Sequence, residues 1–187
     1  MPNLLDFLTK EYYSSGLKPR STAARAWFLE TLKQYRVTAS TLLRGEPSTP
    51  VSMIGNMFFF RYDPKFKDVL PYYDKFPLVI PMEFYPDSFL GINLHYLGYR
   101  ERAVLLDKLS AVSGNKYLDE SSKFKITYQL VKESTKFREV EPCVKKYLYS
   151  HVKSQFVKVE PKQWEVAIFL PVQQFVGAKP EDIWKDN

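Results

Sequence analysis

The sequence predicts an α+β protein: an N-terminal helical arm over residues 1–48, then a body over residues 51–187 in which packed helices cover a small antiparallel five-stranded sheet or barrel. Three observations carry this expectation. With 14 Phe, 13 Tyr and 3 Trp in 187 residues, the chain has enough large apolar surface for one core of ordinary size. Apolar residues recur at three- and four-residue steps before residue 45, and in short blocks of strand-like composition after residue 56. Thirteen Pro against seven Gly favour short, stiff connections over flexible tethers, because proline fixes φ and removes a backbone donor.

Taken in order, Leu4, Leu5, Phe7 and Leu8 lie at helical spacing and Ser14-Ser15-Gly16 ends the run, which predicts a short first helix. Ala24, Trp27, Phe28, Leu32 and Tyr35 make one face of a second helix over 21–36, with Ser21 or Thr22 able to cap its free N–H groups. A third short helix covers 39–44. Pro47 and Pro50 then drive their neighbours toward extended backbone, which marks the boundary between arm and body.

The body opens with a strand near 57–62, stopped by Asp63-Pro64. Strands near 78–85 and 89–97 follow, joined across Pro86-Asp87-Ser88 as a hairpin, and Pro81 inside the first of them calls for an edge position or a bulge. Leu105, Leu106, Leu109 and Val112 line one face of a helix over 99–112. The stretch 123–131 reads as strand-like or irregular. Val144, Tyr147 and Leu148 form a stripe that predicts a helix over 141–151, and two last strands are expected near 155–159 and 164–170.

The formal net charge of +6 favours an anionic partner. No apolar run approaches the roughly 18 residues of a membrane span, and no secretory leader is recognisable at the N-terminus. The reading is therefore a cytosolic protein with no membrane partner, and the single Cys143 agrees with a reducing compartment.

Enzymatic signatures are sparse. His95 and His151 sit apart from any cysteine or carboxylate cluster of metal-binding spacing, so no metal and no catalytic residue is assigned, and no cofactor is expected. His95 reads as a satisfied structural histidine, and His151 as one suited to a helix C-terminus. Cys143 reads as a small buried hydrophobe, although a place in a helix's first turn would lower its pKa somewhat. Phosphate-binding glycine loops are missing. A magnesium nuclease would have to draw on Asp63, Asp68, Asp74, Glu83 and Asp87, yet Asp63, Asp74 and Asp87 each fit a turn role.

Binding has more to draw on. Among residues 18–36 of the arm, Lys18, Arg20, Arg25, Lys33 and Arg36 are opposed only by Glu30, and such a helix suits a phosphate backbone. Lys132, Lys136, Arg138, Lys145, Lys146, Lys153 and Lys158 interleave with Phe137, Tyr147, Tyr149 and Phe156, a mixture in which cations meet phosphate and rings stack on bases. The competing reading is ordinary: solvated charge outside and aromatic core inside.

The runs Gly55-Asn56-Met57-Phe58-Phe59-Phe60-Arg61-Tyr62-Asp63-Pro64-Lys65 and Leu70-Pro71-Tyr72-Tyr73-Asp74-Lys75-Phe76-Pro77-Leu78-Val79 resemble a family of T4-like tailed phages. So do Phe89-Leu90-Gly91-Ile92-Asn93-Leu94-His95-Tyr96-Leu97, Pro142-Cys143-Val144-Lys145-Lys146-Tyr147-Leu148, His151-Val152-Lys153-Ser154-Gln155-Phe156 and Trp164-Glu165-Val166-Ala167-Ile168-Phe169-Leu170-Pro171. The family is commonly described as DNA end protector proteins. The resemblance implies a non-enzymatic virion protein, assembled in the host cytoplasm within a larger particle, that binds double-stranded DNA ends through their backbone. It equally admits a neck, connector or baseplate component whose partners are other virion proteins.

Overall fold

A computed structural model describes residues 3–44, 56–138 and 140–186. The expected arm–body break around Pro47 and Pro50 lies outside the described residues, as does Gly55. Three helices come first: α1 (Leu4–Ser14), α2 (Thr22–Gln34) and α3 (Ala39–Leu43). Ser21 caps α2 as its spacing predicts, its hydroxyl accepting from the Ala24 N–H at 3.1 Å.

The sheet contains β1 (Met57–Phe59), β3 (Leu78–Phe84), β4 (Ser88–Asn93), β5 (Val144–Leu148) and β6 (Val157–Val159), in the order β5-β4-β3-β1-β6. Every pairing is antiparallel. The sheet is open, with β5 and β6 at its edges, so the barrel alternative falls. A separate two-stranded ribbon pairs β2 (Tyr73–Asp74) with β7 (Phe175–Val176). The β3–β4 hairpin turns at the expected place, with Tyr85 N–H donating to the Ser88 carbonyl at 2.8 Å. Pro81 is accommodated by a register shift between Pro81 and Glu83, the bulge its missing N–H calls for.

Strand alternation sorts the β1 region between two cores. Met57 and Phe59 face the larger one, with Leu78, Ile80 and Ile92 and the helices α1, α2, α4 (Tyr99–Ser113), α6 (Trp164–Phe169) and α7 (Pro180–Asp186). Phe58 and Phe60 face the smaller, aromatic one with Phe89 and Tyr147. There the Phe60 and Tyr147 ring centroids are 5.3 Å apart and edge-on, a geometry worth about 0.5–1.5 kcal/mol beyond burial. Leu5, Leu8, Ala24 and Phe28 of the N-terminal helices share the larger core with the sheet.

Three elements differ from the expectation. The strand expected near 164–170 is absent: Trp164–Phe169 form α6 and Leu170 caps it. Pro161 opens a 3-10 turn, Pro161–Gln163, and the Glu160 N–H donates to Gln163 Oε1 at 2.8 Å as half of a capping box that feeds the helix. Its residues are buried all round, which erases the helical period. The segment 141–151 is not a helix: a turn Glu141–Cys143 leads into edge strand β5 and a turn Tyr149–His151. Pairing of Tyr147 with Phe89 decides the matter over local spacing. Lastly, 123–131 lies within α5 (Glu120–Ser134), whose start is marked by Asp119 accepting from the Ser122 N–H at 2.7 Å.

Candidate nucleic-acid interface

Edge strand β5, the connection from β1 to β2 and the turn after β5 come together in a notched groove. Tyr62 N–H donates to the Lys75 carbonyl at 3.0 Å, Asp63 N–H to the His151 carbonyl at 3.0 Å, and Lys153 N–H to the Arg61 carbonyl at 2.8 Å. The Ser154 hydroxyl accepts from the Arg61 N–H at 2.8 Å, and the Tyr62 hydroxyl accepts from the Leu148 N–H at 3.1 Å. Three chain segments distant in sequence are thus held as one surface.

Its floor is a buried polar knot. Asp74 Oδ1 accepts from the Phe76 N–H at 3.0 Å, the turn role its type predicts, while Oδ2 lies 2.8 Å from His95 Nδ1 and accepts from Asn93 Nδ2 at 3.0 Å. Asn93 Nδ2 also reaches the Tyr147 hydroxyl at 3.1 Å. The knot ties ribbon β2 to β4 and β5, so the groove's shape is set from below.

The groove has a larger and a smaller concavity. The larger, about 490 Å³, is walled by rings, among them Phe66, Tyr72, Tyr73 and Tyr96, and carries Lys65, Lys145 and Lys146. The smaller, about 430 Å³, gathers Arg61, Lys67, Lys75 and Lys153 around Tyr62, Tyr73 and Asp63. Of the two carboxylates present, Asp74 is engaged below and Asp63 lies 3.0 Å from Lys67 Nζ, whose hydrogen bond holds the Asp63 carboxyl below its ordinary range. Several other cations rest on rings instead: Lys145 Nζ is 4.5 Å from the Tyr96 centroid, Lys146 Nζ 5.3 Å from Tyr85 and Lys65 Nζ 5.3 Å from Phe66. A ring orients a cation without neutralising it, so these charges stay available to an anion. Burial pushes the Lys145 ammonium below its ordinary pKa, which an incoming phosphate would reverse.

Of the twelve basic residues singled out in the sequence, the structure brings Lys145, Lys146 and Lys153 together here. Arg20 adopts a left-handed backbone at φ 61° and pairs with Asp107 at 2.6 Å and Glu165 at 3.1 Å, a joint between the α1–α2 connection, α4 and α6. Arg25 lies over Tyr99 beside it, and Lys158 on the opposite sheet edge pairs with Glu160 at 3.2 Å. Lys132 rests over Tyr128, and Lys136 lines a separate groove between α4 and α5. Lys18, Lys33, Arg36 and Arg138 are exposed and line neither concavity of the groove. Arg61, Lys65, Lys67 and Lys75 were missed. They interleave with Tyr62, Phe66, Tyr72 and Tyr73 just as the later cations do with their rings, and that signal was masked by the turn reading of Asp63-Pro64.

The sequence matches the family described as phage T4 terminal DNA protecting protein over residues 8–183. The chain belongs to this family. No curated protein and no solved structure matches it. Cys143 is buried and its thiol is pushed up to about 12, opposite to the lowering a helix start would give. Among the described residues no group of three or more His, Cys, Asp or Glu is placed to hold a metal ion, and no helix is long and apolar enough to cross a membrane.

Proposed function

We propose that this chain caps double-stranded DNA ends without catalysis, seating the duplex backbone along the β5 groove. The observation that carries the reading is the charge balance there: seven lysines and arginines, and two aspartates already engaged within the fold. Backbone contacts of this kind bind without reading sequence, and the aromatic wall offers faces to bases exposed at an end. The family's description as DNA protecting supports the same reading. We place the protein in the phage particle, assembled in the host cytoplasm.

The triple variant Lys145→Glu, Lys146→Glu, Lys153→Glu is expected to weaken duplex binding by at least about tenfold and to flatten its salt dependence, since each lost phosphate contact lowers the log–log slope by about 0.9. Lys10→Glu, Lys116→Glu, Lys185→Glu makes the same change in net charge at exposed positions outside the groove. Equal loss in both triples would show that net charge, not this groove, governs binding.

A second reading, a neck, connector or baseplate component held by other virion proteins, is favoured by the grooves along α4. One, about 390 Å³, is lined by Phe28, Leu29, Tyr99 and Phe169, and the other, about 800 Å³, by Val104 and Phe137. Leu29, Val104 and Phe137 are each more than half exposed. Recovery in a stable complex with particle proteins, with no retention on DNA, would favour it.

A further inference from the structure

A protein that prefers an end to the interior of a duplex must contact something that only the end possesses. Interior phosphates are singly charged diesters, flanked on both sides by continuing strand. A terminal phosphate is a monoester with one neighbour; its second ionisation lies near pH 6, so it carries close to two negative charges at neutral pH, and it can enter a recess that a continuous strand would span.

The smaller concavity has the properties such a group requires. It is lined by polar groups, has room for a phosphate and its water shell at about 430 Å³, and draws its four cations from three chain segments: Arg61 and Lys67 from the β1–β2 connection, Lys75 from just after β2, and Lys153 from just after the turn that follows β5. Lys67 is engaged with Asp63 at 3.0 Å, which leaves Arg61, Lys75 and Lys153 as excess positive charge. The segments are fixed before any ligand arrives, through the Arg61–Lys153, Tyr62–Lys75 and Asp63–His151 backbone bonds. Tyr62 and Tyr73 line both this recess and the ring-walled one beside it, so the two concavities adjoin. A phosphate in the first sets the terminal nucleotide at the mouth of the second.

We infer that the Arg61–Lys75–Lys153 recess is a pocket for the terminal phosphomonoester of DNA, and that it confers the preference for ends over interior duplex. The inference rests on the proposal that the β5 groove binds duplex DNA, and it goes beyond it by naming the chemical group that is recognised.

The test uses the full chain and a duplex closed at one end by a hairpin loop, so that each molecule has a single open end. That end carries a 5′-phosphate, a 3′-phosphate or hydroxyls alone, and affinities are compared at one fixed salt concentration. A phosphorylated end is expected to bind about tenfold tighter than the hydroxyl end, as one or two added charge-assisted contacts would give. The strand whose phosphate confers the gain identifies which terminus enters. Inorganic phosphate is expected to erase the gain at concentrations that leave hydroxyl-end binding measurable. In Lys75→Gln and Lys153→Gln the ratio of phosphorylated to hydroxyl affinity is expected to fall toward one. Equal affinity for all three ends in the unaltered protein would overturn the pocket while leaving duplex binding intact. No binding to any duplex would sink both the pocket and the groove.

Discussion

Arg102 is buried, and its guanidinium donates to the carbonyls of Leu97 at 2.8 Å, Ile168 at 2.9 Å and His95 at 3.2 Å, between the rings of Tyr99 and Trp184. Burial lowers its pKa to about 10, so it stays charged at neutral pH and acts as a fixed cross-link among α4, α6 and the turn after β4. Arg102→Met removes a donor from each of three buried carbonyls, of which His95 keeps the Trp184 Nε1–H at 2.9 Å, and is expected to cost about 3–5 kcal/mol in denaturant unfolding. A loss under 1 kcal/mol would mean that water replaces the guanidinium. Cys143 makes a second prediction. Its thiol ionises near 9 when unfolded and near 12 when buried, so the folded state gains from the neutral thiol below pH 9 and loses that gain as pH rises from 9 toward 12. Cys143→Ala is expected to flatten the decline of stability over that window; an unchanged decline would assign it to the buried tyrosines, whose pKa values are also raised.

Among the elements, β5 shows why part of the fold was legible and part was not. Helices α1, α2 and α4 and the β3–β4 hairpin follow from local signals: one-sided apolar spacing, the Ser21 cap, and a Pro-Asp-Ser turn. By contrast β5 exists because β4 offers an open edge, and the Val144, Tyr147 and Leu148 spacing fits a helix equally well until that partner is known. α6 is the converse, a helix buried on all sides whose apolar run imitates a strand. The site follows the same rule. Lys145, Lys146 and Lys153 were readable as a cluster because they are close in the sequence, whereas Arg61 and Lys75 join them only through the Tyr62–Lys75 and Arg61–Lys153 backbone bonds. Gly91 opposes Pro81 across the β3–β4 bulge, and a Cβ there would collide with Val79 Cγ1 and the Ile80 carbonyl. Gly91→Ala is therefore expected to cost about 1–3 kcal/mol of stability by overpacking. Because β5 pairs with β4, amide exchange in Lys145–Tyr147 should accelerate with it; unchanged exchange would mean that β5 is held by other contacts.

For the whole molecule, the net charge of +6 is less informative than its distribution. Arg20 and Lys158 are neutralised within the fold, and Lys136 shares its groove with Glu101 and Glu133, whereas the β5 groove keeps most of its cations unpaired by carboxylates. The α2–α4 side instead presents a largely apolar groove suited to protein contact. A particle component that holds DNA at one face and a neighbouring subunit at another would use both. The most direct test of the central claim is survival of linear double-stranded DNA under a processive exonuclease, with the protein titrated at low and moderate salt and nuclease activity verified on unprotected DNA. The account predicts that linear DNA persists at low salt, that protection fades as salt rises, and that the Lys145→Glu, Lys146→Glu, Lys153→Glu triple loses it. Degradation of linear DNA at the rate seen without protein, at every salt concentration, would contradict the account.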